Sequence, residues 1–285
     1  MKDPKDKGKP MMQFVKTLPI LFVVGIIALL ISCEDDKTTN PQEQTPTIPP
    51  PSTMVIDFSE FPDTASGDGL QDVVVSRNNW GWAALNVSVW NSVLTLTLAV
   101  PVAAFLESFN HQPVQQPDGS WLWQYTLNVE GGSYTAKLYG KTVTEGVEWR
   151  MLLSRAGVYT DFEWFKGFSN LPATEGTWTL NKDPNLPSPF LYIEWHRNTQ
   201  EGTADVKYTN INPVGSGNGS YIFYGKTNEI PYNRFYQIFD ATENRTIDIK
   251  WNYEQLFGRV KDPIHFEDEL WHCWDQTLND IVCTE

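Results

Sequence analysis

From Trp121 onwards, apolar and polar residues alternate with a period of two, the mark of half-buried strands. Trp121, Trp123, Tyr125, Leu127 and Val129 share one face, with Gln124, Thr126 and Asn128 on the other. Glu130-Gly131-Gly132 then forms a tight turn, and Tyr134, Ala136 and Leu138 return on the next strand. The pattern recurs in Val147/Trp149/Met151/Leu153, Phe162/Trp164, Trp178/Leu180, Leu191/Ile193/Trp195, Ala204/Val206/Tyr208 and Ile247/Ile249/Trp251/Tyr253. Gly, Asn, Asp and Pro separate the runs, and Tyr224 and Tyr236 fall in the one long interval. An apolar-charged-Trp triplet repeats at Val147-Glu148-Trp149, Phe162-Glu163-Trp164 and Ile193-Glu194-Trp195, with Ile249-Lys250-Trp251 as a fourth. The spacing is one strand plus one turn, so successive strands place an aromatic at a similar height. The fold predicted is mainly β: an antiparallel up-and-down meander of about ten strands, a barrel or half-barrel with an aromatic concave face. Val55-Ile56-Asp57-Phe58 reads as its first strand.

A second pattern lies upstream. Between Arg77 and Glu107 there is no charged residue. The stretch lacks hairpin turns, which favours helices over strands. Two are predicted, Asn79–Leu98 and Val100–Asn110, with Pro101 in the first turn of the second. Being apolar on nearly all sides, the pair is expected to be buried, as a core element or a lid on the sheet. Strands, suggested by the alternation over Val93–Val100, and a membrane-inserted segment are the competing readings. Asn86, Ser88, Asn91, Ser92, Thr95 and Thr97 weigh against insertion, because polar groups in lipid need partners.

At the N-terminus, Lys16 precedes an uncharged run, Leu18–Ile31, too short to span a bilayer comfortably. It ends in Leu30-Ile31-Ser32-Cys33, which resembles the lipobox of bacterial lipoproteins. The resemblance implies cleavage after Ser32, a lipid on Cys33 and a membrane partner held through that lipid. Glu34-Asp35-Asp36 resemble the acidic triplet that sends some Bacteroidetes-type lipoproteins to the cell surface, so the expected location is the outer membrane, on its periplasmic or surface face. Residues 33–53, rich in Pro, Thr and Gln, read as a disordered tether. A single domain follows over 54–285, including a helical segment at 79–110 and a C-terminal segment at 263–285. In that oxidising setting the two remaining cysteines, Cys273 and Cys283, are expected to form a disulfide.

Charge narrows the partners. The first 32 residues hold five Lys and two Asp, so the rest of the chain carries −17 against −14 for the whole. That excludes a nucleic-acid partner, which needs a basic footprint. No nucleophile elbow, zincin motif, P-loop or dinucleotide fingerprint is present, so no catalytic residue or cofactor is assigned. His265, Asp268 or Glu269, and His272 would share a face if helical, a zinc-like set, but the segment reads more simply as an acidic terminal stretch packed on the sheet. Glu148, Glu163 and Glu194 each neighbour a Trp and so belong on the opposite, solvated face. His196 belongs there with them, and His111 sits in a loop.

The architecture is similar to lipocalins and to the half-barrel carriers of the Lol lipoprotein pathway, without a motif of either. It implies a tethered, non-enzymatic binding or interaction module, with Trp149, Trp164, Trp178 and Trp195 lining a site for an apolar small molecule. Alternatives are a surface glycan-binding protein using exposed Trp rings, a metal-dependent envelope hydrolase built on His265, Glu269 and His272, or, should the Trp layer be solid core, function in loops such as Asn212–Ser220.

Overall fold

The alternating runs become strands of one antiparallel sheet. The computed structural model describes residues 44–62 and 78–284, which lie in one compact unit, Thr39–Glu285. The N-terminal apolar run, Cys33 and the acidic triplet fall outside the described residues. The sheet has fourteen strands in sequential order. They are β1 (Val114–Gln115), β2 (Trp121–Val129), β3 (Gly132–Val143), β4 (Gly146–Arg155), β5 (Tyr159–Ser169), β6 (Glu175–Asp183) and β7 (Leu186–Asn198). The second half holds β8 (Thr203–Asn210), β9 (Tyr221–Lys226), β10 (Arg234–Asp240), β11 (Arg245–Trp251), β12 (Gly258–Lys261), β13 (His272–Trp274) and β14 (Asp280–Ile281). The alternating runs fall in β2 to β8 and β11, while β9 and β10 occupy the interval around Tyr224 and Tyr236 where no run is marked. β1, β12, β13 and β14 hold two to four residues each, too few to show alternation. The sheet does not close, since β1 pairs only with β2 and β14 only with β13. The β2–β3 turn is Glu130-Gly131, both at positive φ, the conformation a two-residue hairpin requires.

Indoles on the inner face need room that ordinary strands do not leave. Glycines opposite them supply it. A Cβ on Gly140 would lie 2.7 Å from the Trp149 ring, on Gly167 2.3 Å from Trp178, on Gly176 2.5 Å from Trp195, and on Gly258 2.3 Å from Trp274. Each indole therefore lies over a bare stretch of the neighbouring backbone.

The segment predicted as a tether ending at residue 53 and a strand from Val55 is neither over its described part. Residues 46–62 form an irregular strap along the inner face, with 3₁₀ turns at Pro51–Thr53 and Phe58–Glu60, buried at Pro46, Ile48, Pro49, Thr53, Met54, Ile56, Phe61 and Pro62. Its partners follow strand order. Pro46 approaches Gly140 of β3. Thr53 Oγ1 accepts from Trp178 Nε1 of β6 at 3.3 Å. Phe58 stacks on Tyr236 of β10. The Glu60 carbonyl accepts from Trp251 Nε1 of β11 at 3.0 Å, and Phe61 meets Trp251 and Trp274 edge-on. The Glu60 carboxylate accepts from Tyr224 and, at 2.7 Å, from the buried Arg234. The strap satisfies the indoles through the Thr53 hydroxyl and the Glu60 carbonyl, and several of its own amides are satisfied within its turns rather than on a strand ladder.

The predicted helix pair is one helix, α1 (Asn78–Glu107), which runs through Pro101 and continues as a 3₁₀ turn, Ser108–Asn110. Tertiary anchoring at both ends outweighs the local penalty of the proline. At its start, Asn78 and Asn79 amides donate to the Asp280 carboxylate of β14 at 3.2 and 2.9 Å, an acidic cap supplied from the other end of the chain. Asn79 Nδ2 donates to the Cys273 carbonyl, and Trp80 Nε1 to the Pro62 carbonyl of the strap. At the far end the Ala104 carbonyl accepts from Tyr125 of β2, and Phe105 packs edge-on against Phe165 and Trp178. The helix thus crosses the gap between the sheet's edges. Cys273 and Cys283 form the expected disulfide, tying β13 to the residues just after β14.

Gly167→Ala tests the indole seating. Its methyl would lie 2.2 Å from the Thr177 carbonyl oxygen and 2.3 Å from the Trp178 ring. We expect a loss of about 1–3 kcal/mol in denaturant unfolding. Unchanged stability would show that the indole is not confined there.

Candidate functional site

The middle of α1 is supported on one side only. Val87, Leu94 and Leu98 are buried against the interior, whereas Leu85, Val89, Val93 and Leu96 are exposed, Leu96 at 79%. A hollow lies on each flank. One, of about 210 Å³, lies between the helix residues Asn91, Leu94, Thr95, Leu98, Ala99 and Val102 and the strap residues Met54–Phe58, with Tyr208 of β8 at its wall. The other, of about 350 Å³, is bounded by Asn86, Val89, Trp90 and Val93 and by polar residues of the β8–β9 loop, including Ser216 and Ser220, together with Arg245 of β11. The first is the more apolar.

Tyr208 gives that hollow its one buried polar feature. The side chain is wholly buried, and its hydroxyl has no hydrogen-bonding partner among the described residues. Burial pushes its pKa up, with the nearby Ile56 amide opposing, so it stays a neutral O–H donor. A donor covered in this way would meet the polar end of an otherwise apolar molecule only once the wall beside it shifts to uncover the hydroxyl.

The four candidate Trp residues do not form a cleft together. Trp149, Trp178 and Trp195 are 2%, 0% and 1% exposed, covered by strap and helix. Trp149 donates to Ser169 Oγ and Trp178 to Thr53. Trp164 is displaced by a register shift in the β4–β5 pairing, which sets Phe165 opposite Met151 and Glu163 opposite Leu152. It clusters with Tyr159 and Phe162 instead. None of the four lines the 210 Å³ hollow. Trp195 borders a separate cleft of about 230 Å³ with Ser52, Asp57, His196 and Lys226, and Trp149 borders a shallow depression with Tyr139, Arg150 and Lys166. The residues that do line the hollow escaped the sequence reading because six of the eleven lie on a helix with no polar face to orient it and four on the strap, which forms no strand.

The histidine-acid set does not converge either. The C-terminal segment holds only one helical turn, α2 (Pro263–Phe266), ended by Glu267 at φ 60°. His265 stacks on Trp82 at 3.7 Å, while His272, in β13, stacks on Phe266 and bonds Asp268 at 3.1 Å. Among the described residues no three His, Cys, Asp or Glu side chains are placed to hold a metal ion. Glu148 is exposed and Glu163 and Glu194 half-exposed, each opposite its Trp. His196 pairs with Asp205 at 2.9 Å, and His111 stacks on Tyr125.

A buried ion pair stands where α1 meets β11 and β12. Asp262 is fully buried, accepts from Arg245 and Trp82, and caps α2 through the Ile264 and His265 amides. Burial alone would raise its pKa, but the Arg245, Trp82 and amide hydrogen bonds outweigh it and hold the carboxyl below its usual value. This is a structural joint between α1, β11 and α2, and its Arg245 also borders the 350 Å³ hollow. Set beside known proteins, the chain matches no family model, no curated protein and no solved structure.

Because the folded pKa of Asp262 is depressed, its contribution is complete above the unfolded carboxyl value, about 3.9, and is lost as pH falls through the folded value. Asp262→Ala should therefore cost about 3 kcal/mol at pH 7, the lower end for breaking a buried pair because Arg245 keeps some solvent. The difference from the native protein should shrink below pH 4 in acid titrations of stability. A pH-independent difference would refute the charge assignment.

Proposed function

We propose that this protein is a membrane-tethered binding module for an apolar small molecule carrying one hydrogen-bonding end. The observation that carries this reading is the hollow between α1 and the strap, with apolar walls and the unpartnered Tyr208 hydroxyl. A dry cavity of about 150 Å³ already takes up a molecule the size of benzene, so this one suits a compact apolar group or the end of an acyl chain. The site differs from the Trp layer that the strand pattern suggested, since those indoles are engaged by the chain itself. The lipobox-like Leu30-Ile31-Ser32-Cys33 supports attachment at the outer membrane through a lipid on Cys33. A short peptide then leads from that lipid to Pro46. A glycan-stacking role would need exposed indoles in a row, and Trp149, Trp178 and Trp195 are buried.

A fluorescent fatty-acid probe should bind the purified protein saturably, near one per chain. Val102→Trp, which fills the hollow, should weaken it about tenfold or more, a change of 1.4 kcal/mol. Tyr208→Phe should cost a carboxylate-headed probe about 1 kcal/mol and leave a hydrocarbon probe unaffected. Trp195→Ala should instead lower stability by about 3–5 kcal/mol as ordinary core. No saturable binding by the native fold would end the proposal. Separately, Cys33→Ser should leave the protein in the soluble fraction after carbonate washing; retention in the membrane would contradict lipid attachment at that residue.

A further inference from the structure

We infer that the exposed face of α1 rests on the bilayer that holds the lipid anchor, so that the hollow beside it opens to acyl chains. The inference rests on the anchoring reading above. Three features of the helix carry it. Leu85, Val89, Val93 and Leu96 recur at three- and four-residue steps and form one exposed apolar stripe. The polar groups beside them are largely spent within the helix. Ser88 donates to the Leu85 carbonyl, Ser92 to Ser88 and Thr97 to Val93, while Thr95 donates to the Asn91 side chain. Such a surface presents little unsatisfied polarity to lipid. No charged residue occurs from Asn78 to Leu106, so the face has no ionic hydration shell to lose.

The occupant follows from the chain's own length. Cys33 and Pro46 are thirteen residues apart, which spans at most about 45 Å when fully extended. A domain held this closely meets the bilayer far more often than any soluble partner. Helix Asn78–Asn110 is long and apolar enough to cross a membrane by length and composition, but both its ends are docked on the sheet, so it lies on the surface rather than spanning. Acidity elsewhere repels anionic headgroups. Docking is therefore apolar and best on a zwitterionic bilayer. Val89 and Val93 of the stripe border the 350 Å³ hollow, and Thr95, next to Leu96 of the stripe, borders the smaller one, so docking brings the rims of the hollows to the lipid. Interfacial helices of this kind sink only part of their width, roughly 5–10 Å.

The test uses the lipidated, processed chain in phosphatidylcholine vesicles. With Cys33 acylated and Cys273 paired to Cys283, Val93→Cys offers the single free thiol for a polarity-sensitive fluorophore. Val214→Cys, in the β8–β9 loop and 82% exposed, is the control. We expect a blue shift and quenching by acyl-chain spin labels at position 93 and water-like emission at 214. Adding Val89→Asp and Leu96→Asp, both at exposed positions, should abolish the quenching at 93. Protein that floats with the vesicles while position 93 stays water-like overturns the docking and leaves the anchor intact. Protein that does not float overturns the anchor and the docking with it. A blue shift that spin-labelled lipid fails to quench, and that grows with protein density, assigns the face to a second copy and overturns the bilayer.

Discussion

An antiparallel sheet that curls without closing must still hide its concave face, and here the chain's own N-terminal strap does it. The strap answers two needs at once. It supplies apolar side chains at Ile48, Met54, Ile56 and Phe61 to the interior, and it supplies acceptors at Thr53, Glu60 and Pro62 to indoles that would otherwise be buried unbonded. Unbonded polar groups in such a place are costly, so the strap and the Trp layer stabilise each other. Trp121 and Trp195, with no partner for the indole nitrogen among the described residues, are the exceptions.

α1 completes the enclosure by a different route. Its ends are fixed by groups that the sheet edges provide, Asp280 at the start and Tyr125 at the end. Between them it runs past the hollows with half its circumference unclaimed. A helix held this way can be apolar all round, because its burial is not uniform along its length. The terminal strands β1 and β14 are two residues each, and β1 pairs only with Trp121 and Leu122 of β2.

Much of the sheet was legible in the sequence. Period-two alternation marks β2 to β8 and β11, and adjacency in sequence separates Glu148 from Trp149 and Glu194 from Trp195 onto opposite faces. What failed has physical causes. A register shift is invisible to a strict period, so Trp164 was placed with the wrong neighbours. Pro101 reads locally as a helix start, yet packing at both ends carries the helix through it. Pro46 to Thr53 looks like linker because Pro and Thr do not alternate, although an irregular, proline-rich segment suits a surface that offers donors rather than strand edges. The glycines that seat the indoles read only as turn residues, because the ring each one accommodates belongs to a neighbouring strand.

The strap and α1 are near the beginning of the chain, and their closing partners are near its end. Glu60 and Trp251 are 191 residues apart, and Asn79 and Asp280 are 201 apart. During synthesis the strap and helix emerge before their partners and wait while about two hundred residues are added. The hairpins of β2 to β11 can pair locally as they appear, but the inner face stays open until β13 and β14 exist. Contacts this distant in sequence form slowly, and apolar surface is bare in the interval. A chain interrupted shortly before Asp280 would have nearly all its strands and lack the carboxylate that caps its helix.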